Sequence, residues 1–325
     1  MKKFLAFVAT LFSLGILTAV GGVIWINHEI NKPGAFAQDV EFLVPPGLNT
    51  IGIAQKLNTE QLITQPQLFY GVMRLTPGVI KAGEYSIPAH SSLKAITIIL
   101  HSGQTIKRNV TLAEGLTVKQ AMQILQENPY LSGELPQQIE EGSLLPETYN
   151  FIRGDTRASV IKKMQEAQTK TLAELWQKRD PNLILIKPEQ AVILASIVEK
   201  ETRLPAERPK IAGLFYNRLK LGMPLQSDPT VVYVITDHLG HMGGKPLLSD
   251  DLQVDSPYNT YKVPGLPPGP IANPGRASLE AVLHPESHDY LYFVADGSGG
   301  HVFSKDLKTH TANVQKWRKI KKEQK

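Results

Sequence analysis

The chain has 325 residues, 42% apolar and 20% charged, the make-up of a globular protein with room for one large domain or two ordinary ones. It has no cysteine, which excludes disulfide frameworks, thiolate nucleophiles and Cys-ligated zinc. The net charge of +5 resides in the last ten residues, which hold six basic side chains and one acid, so the body is formally neutral. A nucleic-acid-binding fold would carry its basic residues on a folded face, so nucleic acid is not an expected partner. The tail (Lys316, Arg318, Lys319, Lys321, Lys322 and Lys325) reads as a solvated helix end, with contact to an anionic lipid or polymer as the alternative.

Lys2 and Lys3 precede an uncharged, mostly apolar run from Phe4 to Ile26. As a helix that run spans about 34 Å, enough to cross a hydrocarbon core. Trp25 at its far end suits the headgroup interface, and the leading lysines favour a cytoplasmic start. The division expected is a cytoplasmic n-region (1–3), a membrane anchor (4–26) and a linker (27–39), with the remaining chain extracytoplasmic. A cleaved signal peptide is the rival, since Ala35-Phe36-Ala37 has the A-x-A form. The apolar run is too long and the site too distant for that reading.

Three sixteen-residue segments then align without gaps: Phe42–Leu57, Tyr85–Leu100 and Val110–Leu125. Each opens apolar-x-apolar as a strand does, turns through Pro, Gly or small polar residues, and enters an amphipathic helix ending in Leu. Asn49 or Thr50, Ser91 or Ser92, and Thr117 are the candidate N-caps. Such units arise in any α+β domain. Residues 40–105 also resemble, in pattern only, the βααβ arrangement of LysM modules, which bind N-acetylglucosamine polymers. Residues 106–145 read as a connecting strand and helix region.

Beyond Pro146 a long polar helix is expected from about Arg157 to Arg179, and a second after Lys187-Pro188 that is apolar nearly all round and therefore buried. Glu199 and Glu201 end it about 200° apart around the axis, so they face differently. One can be solvated or paired with Lys200, Arg203 or Arg208 while the other points into the fold, where desolvation would raise its pKa. Two ordinary helix-end carboxylates remain the bland alternative. Another helix is expected from Ala206 to Leu221, then a short strand, Val231–Val234. The Pro- and Gly-rich stretch Pro264–Gly275 reads as a stiff, exposed loop, either a groove wall or a rigid connector. Tyr290–Ala295 and His301–Ser304 read as a hairpin around Gly297, Gly299 and Gly300. No metal site is expected, because Pro285 lies between His284 and His288.

Six segments in order carry a resemblance: Ser196-Ile-Val-Glu-Lys-Glu-Thr202, Phe215-Tyr-Asn-Arg-Leu219, Leu225-Gln-Ser-Asp-Pro-Thr230, Tyr258-Asn-Thr-Tyr261, Gly265-Leu-Pro-Pro-Gly269 and Tyr290-Leu-Tyr-Phe-Val-Ala-Asp-Gly297. Together they resemble the endolytic murein transglycosylase (YceG-like) family over nearly the whole chain. The resemblance implies an α+β protein: a single N-terminal transmembrane helix, a small LysM-like subdomain, and a catalytic domain (146–325) built on the buried helix. It implies a peptidoglycan lytic transglycosylase of the bacterial inner membrane that uses no cofactor. Such an enzyme cleaves the N-acetylmuramic acid–N-acetylglucosamine bond to leave 1,6-anhydro ends, beside peptidoglycan synthases (penicillin-binding proteins). Glu201 maps to the catalytic acid/base; Glu199, Gln226, Asp228, Tyr258 and Asn259 are candidates to line the site. A non-catalytic membrane-anchored peptidoglycan-binding protein is the alternative. A pyridoxal-phosphate lyase is a third reading, opposed by the membrane span and by the lack of a distinctive Schiff-base lysine.

Overall fold

The computed structural model describes residues 1–76 and 78–323, so Lys325 of the basic tail lies outside the described residues. The chain divides into two compact units, Met1–Arg108 with Phe151–Asp155, and Asn109–Asn150 with the chain from Thr156 onward.

The first unit opens with α1 (Lys2–Asn31), whose apolar window of mean hydropathy 2.2 buries nothing within the protein. By length and composition it can cross a membrane. The chain after it is tied down: Gly34 N donates to His90 O at 3.1 Å, His90 N to Phe36 O at 3.0 Å, and Ala89 N to Asp39 Oδ1 at 2.8 Å. β1 (Val40–Val44), α2 (Thr50–Thr59), α3 (Pro66–Leu75) and β2 (Gly83–Ile87) follow, then α4 (Leu93–Ser102). The two strands pair antiparallel with Phe42 opposite Tyr85. Their inward side chains meet Leu57, Phe69, Ile96 and Leu100 in one core, so the alternation read from sequence is the alternation that buries. Asn49 caps α2 through Gly52 N and Ser92 caps α4 through Ala95 N, which settles both open cap choices.

β3 (Arg108–Thr111) pairs with β4 (Thr148–Phe151), and all but their end residues Arg108 and Phe151 belong to the second unit. α5 (Val118–Glu127) starts from a capping box, Thr117 with Gln120. The helices α6 (Arg157–Gln177), α7 (Pro188–Glu201), α8 (Arg208–Lys220), α9 (Asp228–Ile235) and α10 (Arg276–Leu283) follow, then β5 (Tyr292–Ala295), β6 (His301–Ser304) and α11 (Leu307–Glu323). α7 is the core of this unit. Ala191, Leu194, Ala195, Ile197 and Val198 are fully buried against α8 and α10, as its all-round apolar surface requires. Gly213 of α8 lets another segment approach closely, since a Cβ there would overlap the carbonyl of Glu286. The expected hairpin forms, β5 antiparallel to β6 with Phe293 opposite Phe303, and Gly297 and Gly299 take positive φ in its turn.

Two expectations are corrected. Val231–Val234 is helix, not strand: Asp228-Pro229 starts α9, and Thr230, Val231 and Tyr233 face inward at helical spacing. Burial of that face overrides the β-propensity of its valines, with Pro229 pre-set for the first turn. The Pro264–Gly275 loop is exposed only over its first part, because Ile271, Ala272 and Asn273 are buried. Its polar groups are satisfied from within: Ile271 N donates to Ser196 Oγ, Asn273 N to Leu116 O, and Leu144 N to Asn273 Oδ1.

Candidate active site

The end of α7 sorts its two acids. Glu199 turns to a packed face, where its side chain is 4% exposed, accepts from Arg208 Nη2 at 3.1 Å and takes Gly275 N at 2.9 Å. Arg208 also reaches Glu114 at 3.2 Å, and Lys200 Nζ donates to Gly115 O at 3.2 Å. Glu199 thus joins α7 to the first turns of α8 and α10. It does not line the cavity that holds Glu201. Replacing Glu199 with Gln weakens a charge-assisted bond to Arg208 and should cost about 2 kcal/mol of stability. Thermal unfolding should register that loss while the groups around Glu201 keep their geometry.

Glu201 turns the other way. Its Oε1 accepts from Ser227 Oγ at 2.5 Å, and the residue lines a cavity of about 370 Å³ with Arg218, Gln226, Asp228, Tyr261 and Tyr292. Burial pushes the Glu201 carboxyl up to about 7, and the charge of Asp228 adds to the rise. The Ser227 hydrogen bond, with the Arg218 guanidinium nearby, holds it from going further. At neutral pH it is therefore poised between acid and base. A larger groove of about 800 Å³ between α6, α7 and Pro268–Pro270 does not include Glu201. It is lined by Glu141, a second carboxyl that burial pushes up to about 7, whose Oε1 is held by Val118 N at 2.9 Å and Asn273 Nδ2 at 3.3 Å.

The walls of the cavity are built by long-range contacts. Arg218, 5% exposed, spends its donors on backbone, Nε to Leu291 O at 2.7 Å and Nη1 to Leu225 O at 2.6 Å, and so fastens α8 to the segments on either side. Tyr261 OH donates to Asp228 Oδ1 at 2.5 Å. Gln226 sits at φ 48°, a left-handed conformation uncommon outside glycine, and its N–H donates to Thr260 O. That costs on the order of 1 kcal/mol and persists because its neighbours are fixed.

Of the residues singled out from sequence, Glu201, Gln226 and Asp228 come together. Tyr258 and Asn259 stand outside the cavity. Tyr258 packs beside Tyr233, ring centroids 5.3 Å apart, with its hydroxyl close over Gly269. Asn259 is fully buried and organises its own loop, donating to Leu252 O and Val254 O and accepting from Tyr261 N. It acts on the cavity through Tyr261. His288, weighed as a metal ligand, has Nε2 2.8 Å from Lys210 O. Ser227, Tyr261, Tyr292 and His310 went unnamed as site residues in sequence. Ser227, Tyr261 and Tyr292 lay inside quoted segments, and that position was the available signal.

An α+β body behind an apolar helix, with a titratable acid at the end of a buried helix, has clear relatives. The profile of the YceG-like family matches residues 42–316. An endolytic murein transglycosylase of Bacillus subtilis is 36% identical over 316 residues, covering 87% of this chain and 86% of that protein. One from Streptococcus pneumoniae is 37% identical over 180 residues, 54% of this chain and 31% of that longer relative. The crystal structure of a YceG-like protein from Listeria monocytogenes superposes with a TM-score of 0.53 at 29% identity, covering 85% of this chain and 98% of that one. The chain belongs to the YceG-like family.

Proposed function

We propose that the chain is an endolytic peptidoglycan lytic transglycosylase, held in the bacterial inner membrane by α1 with both folded units extracytoplasmic, and that Glu201 is its acid/base. The observation that carries the reading is the Glu201 carboxyl, half-buried in a cavity and poised near pH 7. The names of the relatives support the same substrate. The protonated carboxyl donates to the glycosidic oxygen between N-acetylmuramic acid and N-acetylglucosamine. The resulting carboxylate then takes the proton of the muramic C6 hydroxyl, whose oxygen closes the 1,6-anhydro ring. One group serves both steps because an internal hydroxyl replaces water. Arg218 and Tyr261 shape the cavity, and Gln226 and Asp228 face the strand.

The βααβ order of the first unit and its antiparallel strand pair support a LysM-like glycan-binding role for residues 40–105. Such a module would hold the strand near the membrane, where synthases extend it.

Asp228 in the same cavity favours one other reading, hydrolysis by two carboxylates. The full chain incubated with peptidoglycan separates them: mass spectrometry should find 1,6-anhydro ends, whereas a hydrolase leaves ends one water heavier. Finding neither product leaves only a binding protein. Because the reaction starts from the protonated acid, kcat/KM should fall about tenfold per unit as pH rises beyond about 7. A rate that stayed flat to pH 9 would show that Glu201 is not the group that donates.

A further inference from the structure

We infer that Ser227 is a positioning residue that commits Glu201 to one oxygen, engaging Oε1 and leaving Oε2 to carry the proton that is exchanged with the substrate. The inference rests on the assignment of Glu201 as the acid/base and deepens it.

Ser227 is 1% exposed and is held from both sides of its peptide. Its N–H donates to Thr260 Oγ1 at 3.0 Å, and its carbonyl accepts from Thr230 Oγ1 at 2.7 Å. The two threonine hydroxyls lie 2.9 Å apart. Each hydroxyl has a single proton. Thr230 has given its own to the Ser227 carbonyl, so Thr260 must donate to Thr230. The directions close into a ring: Ser227 N–H to Thr260, Thr260 to Thr230, Thr230 to Ser227 O. Both threonines are buried, Thr230 at 0% and Thr260 at 1%, so water does not compete for the ring.

The ring leaves the Ser227 hydroxyl free of backbone duties. Among the described residues its one acceptor is Glu201 Oε1, so it donates there. Oε2 receives no hydrogen bond from any described residue, and it is not among the polar atoms sealed away without a partner. It is the oxygen left to face the cavity. A donor fixed on Oε1 disfavours protonation at that oxygen, so the acidic proton resides on Oε2. Asp228, the next residue, bears on Glu201 in the opposite sense, since its negative charge favours the protonated form. Neighbouring side chains on the first turn of α9 and its cap therefore set the acid from two directions.

The test compares Ser227→Ala and Ser227→Thr in the full chain in nanodiscs, on purified glycan strands. Ser227→Ala should lower kcat about 100-fold with KM within about twofold, the loss expected of an acid allowed to drift by about an ångström. It should also move the upper pH limb to higher pH, because a donor to the carboxylate has gone. Ser227→Thr keeps the hydroxyl and should restore most of the rate and the original limb. Carbon-13 NMR titration of Glu201, assigned by difference against Glu201→Gln, reads the same contact without substrate. An upward shift in Ser227→Ala supports the inference even if no cleavage is found, an outcome that would count against the function alone. An unshifted titration, or a threonine variant as impaired as the alanine one, overturns it and leaves Ser227 a packing residue.

Discussion

Glu201→Gln is expected to reduce glycan cleavage by about 10⁴-fold, the upper end of what a single general acid/base contributes, while leaving the fold intact. Glutamine matches glutamate in shape and can still accept from Ser227 Oγ, so the cavity keeps its walls. It cannot give up a proton and take it back. Stability should move in the opposite direction to activity at alkaline pH. With its pKa raised in the folded state to about 7, Glu201 contributes fully only below the unfolded value, and the contribution is lost as pH rises through about 7. Above that pH the wild-type protein holds a half-buried carboxylate that the variant lacks. Thermal unfolding at pH 8.5 should therefore show Glu201→Gln no less stable than wild type. Loss of activity together with loss of folding would remove the case for a chemical role, and near-normal cleavage would refute the assignment outright.

Much of this architecture could be read from the chain, and what could not has a common cause. The strand–turn–helix segments were legible because local alternation, turn residues and caps all agree there, as at Asn49, Ser92 and Thr117. α7 was legible because a helix apolar on every side has one place to go. The angular separation of Glu199 and Glu201 was legible too, from 3.6 residues per turn. Which of them met Arg208 and which met a cavity depended on how α8, α9 and the 256–262 loop pack around the end of α7, and local pattern holds no record of that. The misread strand at Val231–Val234 has the same origin: β-branched residues gave a local preference, and burial against α7 outvoted it. Asn259 was a candidate to line the site from the resemblance. Buried polar groups must find partners, and its partners turned out to be its own loop.

In the first unit, Glu84→Gln is expected to cost about 3 kcal/mol or more, a large share of a domain's stability. Glu84 lies on β2, is 0% exposed, and accepts from Arg108 Nη2 at 2.6 Å on one oxygen and Arg153 Nη1 at 2.7 Å on the other. Arg153 belongs to the returning segment Phe151–Asp155, so this carboxylate fastens a stretch of chain contributed from far along the sequence. Burial alone would raise the pKa of Glu84, but the hydrogen bonds and charges of Arg153 and Arg108 outweigh it and hold it below the usual carboxylate value. A depressed folded pKa contributes stability above the unfolded value, about 4.5, and loses it as pH falls through the folded one. Glutamine keeps the shape and gives up the charge at every pH. Hydrogen exchange in β1 and β2 should thus be faster in the variant at pH 7, and the difference should shrink in strong acid as wild-type Glu84 is protonated. A gap that persisted undiminished at the acid extreme would mean that packing at this position, and not the pair of guanidinium groups, is what the strand depends on.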